Sequence, residues 1–214
     1  MALPLFDIIF VNVKSYKNVT ETLKCSSFNF NFMKTRCFGT GDLLYEHYHD
    51  DEWGIPVHDD KKLFEFITLE GAQAGLSWST ILKRRKGYCK AFENFEAKKV
   101  AKFTSADVAR LMKDAGIIRN RLKIESTISN AKAFLVVQKE FGSFDKYIWQ
   151  FTNGKTIKNR VKRGQWQATS KESDAMSKDL KKRGFRFAGS TICYAFMQAV
   201  SMVDDHAVDC WKAL

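Results

Sequence analysis

From Asp60 onward, apolar residues recur at helical rather than alternating spacing. Leu63, Phe64, Ile67 and Ala74 mark one helical face, and Val108, Leu111 and Met112 mark another. Thr104 or Ser105 is placed to cap the second of these. Leu122, Ile124, Ile128, Ala131 and Leu135 predict a further helix. Ser173 to Arg183 reads as a helix with cations in its last turn and Gly184 as its stop. Ser190 to Val203 is apolar and free of helix breakers, which predicts one buried helix. No strand alternation follows residue 60, so the expected fold class is all-α. Residues 152–170 are the least regular stretch, with Asn153-Gly154 and Arg163-Gly164 as turns.

One segment reads as helix, tight turn, helix. The first helix is expected to end at Lys113-Asp114-Ala115, and the second to run from near Arg121 to about Phe141. Between them, Gly116 is expected to take a left-handed conformation, and Ile117 and Ile118 to pin the turn into the core. The second helix would then present free N–H groups flanked by Arg119 and Arg121, a site suited to one DNA phosphate. An ordinary helical connection with a glycine cap accounts for the same pattern.

Charge sharpens the picture. Lys and Arg number 35 against 24 Asp and Glu, a net charge of +11, which favours a polyanionic partner. Arg84, Arg85, Lys158, Arg160, Lys182 and Arg183 are candidates for phosphate contacts, although a solvated basic face explains any one of them. Five cysteines, an odd number, do not suggest a disulfide scaffold and fit a reducing cytosol or nucleus. No apolar run approaches the ~20 residues of a membrane span. Residues 1–35 lack the charged start of a signal peptide and read as an extension ahead of a domain spanning 36–214. Nothing signals oligomerisation, so a monomer is the default.

Two Cys and two His bracket that domain. Cys37 and His49 lie 12 apart near its start, and His206 and Cys210 lie four apart near its end. Such a set suffices for a closed tetrahedral zinc shell, with no open position for catalysis. Spacing alone is weak support, because His-x3-Cys pairs occur by chance.

Longer motifs carry a resemblance. Tyr48-His49-Asp50-Asp51-Glu52-Trp53-Gly54-Ile55-Pro56 precedes Leu69-Glu70-Gly71-Ala72-Gln73-Ala74-Gly75-Leu76-Ser77-Trp78. Asp114-Ala115-Gly116-Ile117-Ile118-Arg119 follows, then Ser177 to Phe187, Tyr194 to Ala199, and Asp205-His206. In this order they resemble the 3-methyladenine DNA glycosylase I family of the helix-hairpin-helix superfamily, from about Arg36 to Cys210. The resemblance implies a two-lobed helical fold and one structural zinc on Cys37, His49, His206 and Cys210. It implies a base pocket around Glu70, Tyr48 and Trp78, supported by Trp53, and double-stranded DNA containing 3-methyladenine as substrate. The hairpin's Gly116, Ile118, Arg119 and Arg121 would hold the DNA backbone.

The chain departs from the family pattern in places. Phe38-Gly39 stands where a tryptophan is usual, so Phe38 is expected to replace the indole in the pocket wall. Asp204 stands where asparagine is common, and a proline is missing near Gln167-Ala168-Thr169-Ser170. The implied chemistry is removal of a flipped base. A 3-methylated adenine is cationic while joined to its sugar, so the glycosidic bond is already weak. Tyr48 and Trp78 offer electron-rich faces to a cation, worth roughly 0.5–2 kcal/mol. Glu70 can accept hydrogen bonds from the adenine edge. No placed lysine nucleophile is evident, which argues for hydrolysis without strand cleavage. A DNA-binding module without catalysis and a zinc hydrolase are the alternatives. The first would not need Glu70, Tyr48 and Trp78 together, and the second would need an open metal position.

Overall fold

A computed structural model describes residues 34–213. The extension expected over residues 1–35 falls almost wholly outside the described residues. Ten α-helices occur among the described residues: α1 (Leu43–Asp51), α2 (Asp60–Gln73), α3 (Trp78–Leu82), α4 (Arg85–Ala91), α5 (Ala97–Val100), α6 (Ser105–Leu111), α7 (Arg121–Phe141), α8 (Phe144–Trp149), α9 (Lys171–Lys182) and α10 (Ser190–Ala199). The predominance of helix agrees with the hydrophobic pattern. None of these helices is long and apolar enough to cross a membrane.

Helix α2 is the centre of the packing, with α3, α7, α8 and α10 against it. Leu63, Phe64, Phe66, Ile67 and Leu69 are buried along its length. Asp59 caps it by accepting from the Lys62 amide. The next residue, Asp60, accepts from the amides of Phe144 and Asp145 at 2.8 Å each and from Gln138. One carboxylate therefore ties the start of α8 to the start of α2. Lys34–Leu214 forms one unit.

Several boundaries differ from expectation. Ala74 and Met112 are C-caps rather than helical residues. Helix α9 starts earlier, at Lys171, because Ser170 caps it through the Ser173 amide. Helix α1 has no counterpart in the sequence pattern, since only Tyr48 and His49 on it are buried and Leu43 and Leu44 face solvent. Helix α10 stops at Ala199, short of Val203. There Ser201 adopts φ +62°, its amide donates to the Gln198 carbonyl, and the Met202 amide donates to the Met197 carbonyl at 2.8 Å. This is a Schellman closure with serine in the position glycine usually takes, so the usual stop signal is missing from the sequence.

The reversal leads into a short parallel pairing, an addition to a mostly helical fold that the all-α expectation did not include. β1 (Ile157–Lys158) pairs with β2 (Val203–Asp204), and Val161 bridges Ala207 beyond it. Two residues per strand are too few for alternation to be visible in a sequence.

The hairpin region also differs in detail. Helix α7 matches the expected limits, with Asn120 as N-cap accepting from the Lys123 amide and Gly142 closing it at φ +84°. Helix α6 ends at Leu111, earlier than predicted. Gly116 is not among the residues of positive φ. It is needed for close approach instead: a Cβ on Gly87 of α4 would come within 2.1 Å of the Gly116 carbonyl oxygen. The turn backbone thus rests directly on α4, and Ile117 is buried as expected.

Candidate base-binding site and metal cluster

A cavity of about 260 Å³ is lined by Cys37, Phe38, Tyr45, Tyr48, Trp53, Glu70, Gln73, Trp78, Trp166, Gln167, Ala195 and Gln198. All five residues expected at a base pocket, Tyr48, Trp78, Glu70, Trp53 and Phe38, are brought together there. Helical spacing sets two of them beside a further cavity residue each. Tyr45 and Tyr48 stand three apart on α1, and Glu70 and Gln73 stand three apart on α2. Trp78 opens α3, whose start is fixed by Ser77 accepting from the Thr80 amide.

The walls are aromatic. The Tyr48 and Trp78 rings lie 5.2 Å apart at 47°. Phe38 packs 5.0 Å from Trp53 edge-on and 4.8 Å from Tyr45, so it occupies the wall position expected of it. Tyr45 and Trp166 are cavity residues outside the quoted motifs, and Gln73, Gln167, Ala195 and Gln198 are cavity residues that the quoted stretches name or span without assigning them to the pocket. Tyr45 has a signal in its spacing from Tyr48, and Gln198 in being a polar residue inside an apolar run. Trp166 lies on an irregular segment and has none.

Glu70 is only 3% exposed, and its Oε2 has no hydrogen-bond partner. Burial pushes its carboxyl up to about 8. The indole nitrogen of Trp78 is likewise buried and unpartnered. Burial also holds the Tyr48 hydroxyl well above its usual range, with Glu70 adding to the effect. An apolar enclosure thus contains an orphaned acid and an orphaned donor, an arrangement that costs free energy unless a polar guest completes it.

Behind Phe38 lies a second cluster. One ligand atom each of Cys37, His49 and Cys210 lie within 4.8 Å of one another, all buried. His206 is not part of that close triad, but its ring lies 5.5 Å from that of His49 and its Nε2 is buried without a partner. Both imidazoles are oriented alike: His49 Nδ1 meets Asp50 at 2.9 Å, and His206 Nδ1 meets Asp204 at 2.7 Å. Carboxylates on Nδ1 leave Nε2 as the electron-pair donor, the tautomer a metal ligand needs. Gly54 packs on the His206 ring so closely that a Cβ there would come within 2.4 Å of Cε1.

Among the expected phosphate-binding residues, Arg85 and Arg183 are held tightly by carboxylates, Arg121 pairs more loosely with Glu125 at 3.6 Å, and Arg84 donates to the Thr80 carbonyl at 3.3 Å. Arg85 is bound to Glu65 at 2.6 Å and Glu52 at 2.8 Å, with its side chain 15% exposed. Arg183 is bound to Glu140 and Asp179 at 2.7 Å each. Neither is free for phosphate, because a second anion would have to displace paired carboxylates. Arg119, Arg121, Lys158, Arg160 and Lys182 are exposed. In the hairpin turn, the Gly116 amide donates to Asp114 and the Ile118 amide to the Tyr88 hydroxyl.

Comparison with known proteins gives a consistent result. The family model for methyladenine glycosylase matches residues 38–213. The DNA-3-methyladenine glycosylase of Haemophilus influenzae is 51% identical over 180 residues, covering 83% of this chain and 97% of that protein. DNA-3-methyladenine glycosylase 1 of Escherichia coli is 49% identical over 170 residues, covering 79% of this chain and 91% of that protein. A crystal structure of 3-methyladenine DNA glycosylase I superposes with a TM-score of 0.81 at 45% identity, over 83% of this chain and 99% of the other. A tyrosine-to-phenylalanine variant of such an enzyme, in complex with 3-methyladenine, superposes with a TM-score of 0.79 at 38% identity, over 81% and 94% of the two chains. With its aromatic cavity, buried acid and matched length, the chain belongs to the methyladenine glycosylase family.

Proposed function

We propose that the protein excises 3-methyladenine from alkylated DNA, hydrolysing the N-glycosidic bond of a flipped nucleotide to release the free base and leave an abasic site. The observation that carries this reading is Glu70, a buried and unpartnered carboxyl facing an aromatic cavity. In this apolar enclosure Glu70 is largely protonated at neutral pH, because burial penalises its charge. A cationic base reverses that penalty, and the ionised carboxylate and the ring faces of Tyr48 and Trp78 then act together on the positive charge. A neutral adenine offers no such compensation. Selection for the methylated base follows from electrostatics, and the weak bond of the cationic nucleoside reduces the need for strong acid catalysis. Glu70 is the candidate catalytic residue, since it also stabilises positive charge developing at the sugar.

The basic N-terminus of α7, with Arg119 and Arg121, is the candidate grip on the DNA backbone. Asn120 satisfies the Lys123 amide, which leaves the first helical amides for phosphate. Gly116 and Ile118 contribute through the shape of the turn rather than their amides, which are already bonded. The hairpin so described is of the helix-hairpin-helix kind.

The donor set of Cys37, His49 and Cys210 fits zinc, with His206 as fourth ligand. The carboxylates on both Nδ1 atoms and the orphaned Nε2 of His206 support this. Four protein ligands would make the ion structural, joining both ends of the domain. The protein is read as a monomer.

The deciding experiment is release of free 3-methyladenine from methylated duplex DNA, wild type beside Glu70→Gln. Release by the wild type, lowered or broadened to other bases in the variant, is expected. No release from folded, zinc-loaded wild type would favour a DNA-binding module instead.

A further inference from the structure

Gln198 is a polar residue of the cavity held by a buried carboxylate. It sits on α10 and lines the cavity. The two ends of a glutamine amide have the same shape, so only its partners say which end points where. Here the partner is unambiguous. Gln198 Nε2 lies 2.7 Å from Asp205 Oδ2, and a carboxylate that accepts requires the amide to donate.

Asp205 is itself held from other sides. The Tyr194 hydroxyl donates to its Oδ2 at 2.8 Å, and Asn159 Nδ2 donates to its Oδ1 at 2.7 Å. Asp205 is 1% exposed, directly after β2, and Asn159 directly follows β1. The two-residue ladder therefore brings Asn159 against Asp205. All three donors converge on one buried carboxylate, and that carboxylate fixes the rotation of the Gln198 amide. The carbonyl oxygen at the amide's other end is left with no hydrogen-bond donor among the described residues.

We propose that Gln198 is a specificity-determining residue whose carbonyl oxygen, locked in place by Asp205, accepts a hydrogen bond from the exocyclic amino group of the bound base. The proposal rests on the excision reading above and deepens it. An amino group carries two N–H donors, and the cavity then offers two acceptors, Glu70 and Gln198. A base with a carbonyl oxygen in place of that amino group would set acceptor against acceptor. The lock matters because a free amide would rotate to offer its NH2 and lose the discrimination.

The test titrates free 3-methyladenine and free 3-methylguanine into wild type and Gln198→Met, following tryptophan fluorescence. Trp53, Trp78 and Trp166 report from the cavity wall. Methionine keeps the length of the side chain and removes the acceptor. The variant should bind 3-methyladenine about five- to tenfold more weakly and lose a similar factor of preference over 3-methylguanine. Unchanged affinity and preference would overturn the proposal. So would loss of base release from DNA with free-base binding intact, which would place Gln198 at the sugar or at water. If wild type itself binds neither base, the reading of the cavity fails, and the proposal with it. Should Gln198→Met not fold, the side-chain amide resonances of Gln198 in nitrogen-15-labelled wild type decide the matter. They should shift on saturation with 3-methyladenine, and no shift would refute the contact.

Discussion

Gly87 and Gly116 touch backbone to backbone, with no room for even a methyl group between them. The contact seats the hairpin turn on α4. Gly87→Ala forces a Cβ to 2.1 Å from the Gly116 carbonyl oxygen, so one of the two segments must move. Overpacking of this kind costs typically about 1–3 kcal/mol. A urea midpoint lowered by that amount is expected, together with weaker DNA binding as the start of α7 shifts. Free-base binding should hardly change, because neither glycine lines the cavity.

The buried acid makes stability depend on pH. Glu70 is raised in the folded state to about 8 from 4.5. The folded state therefore holds a proton that the unfolded chain releases between those values. Its stabilising contribution is complete below about pH 4.5 and is lost as pH rises through about 8. Glu70→Gln keeps the shape without the charge. Its melting temperature should exceed that of wild type above pH 8, with the two converging towards pH 5. Parallel curves across that window would show that Glu70 is not buried as described.

Metal analysis should find one zinc per chain, lost in Cys210→Ser. A chelator is expected to lower the melting temperature substantially, because a bound structural ion contributes directly to folding free energy. Metal-free protein with an unchanged melting temperature would remove zinc from the account.

Phosphate contacts are read through salt. Arg119→Ala and Arg121→Ala should each weaken binding to DNA whatever its sequence. Each should also reduce the slope of log affinity against log salt by about 1. Arg183→Ala should leave that slope unchanged, since its guanidinium is committed to Glu140 and Asp179.

Ser201 holds a left-handed conformation that costs a side-chain-bearing residue about 1 kcal/mol or more relative to glycine. Ser201→Gly should accordingly raise unfolding free energy by about 1 kcal/mol in urea melts, and a loss of stability would show that the serine side chain has a role of its own.

Elements are legible in the sequence where local chemistry announces them. Helix α7 can be delimited because Asn120 and Gly142 are residues that begin and end helices. Helix α10 reads too long because its stop is a serine in the left-handed conformation that glycine usually takes. Glu70 stands out as a charge among small and apolar residues, and the cavity contains it. The role of Gly116 is ambiguous in sequence, since close approach and left-handed geometry both call for glycine and only tertiary structure separates them. Arg85 looks like a free cation because Glu52 and Glu65 are remote in sequence, and Arg183 because Glu140 is, although its second partner, Asp179, stands at helical spacing four residues earlier. The ladder joining Asn159 to Asp205 is too short to leave any pattern.

The link between Cys37 and Cys210 bears on how the protein is made. The Ala207 amide donates to Cys37 Sγ, and the Trp211 amide donates to the Thr35 carbonyl. A polypeptide emerging from the ribosome presents Cys37, His49 and the Tyr48 face early, yet has nothing to close them with until Ala207 and Trp211 are translated. Synthesis that stalls before residue 205 leaves the cavity without the Asp205 lock and the cluster without Cys210. Closure of the site thus waits on segments from both ends of the domain.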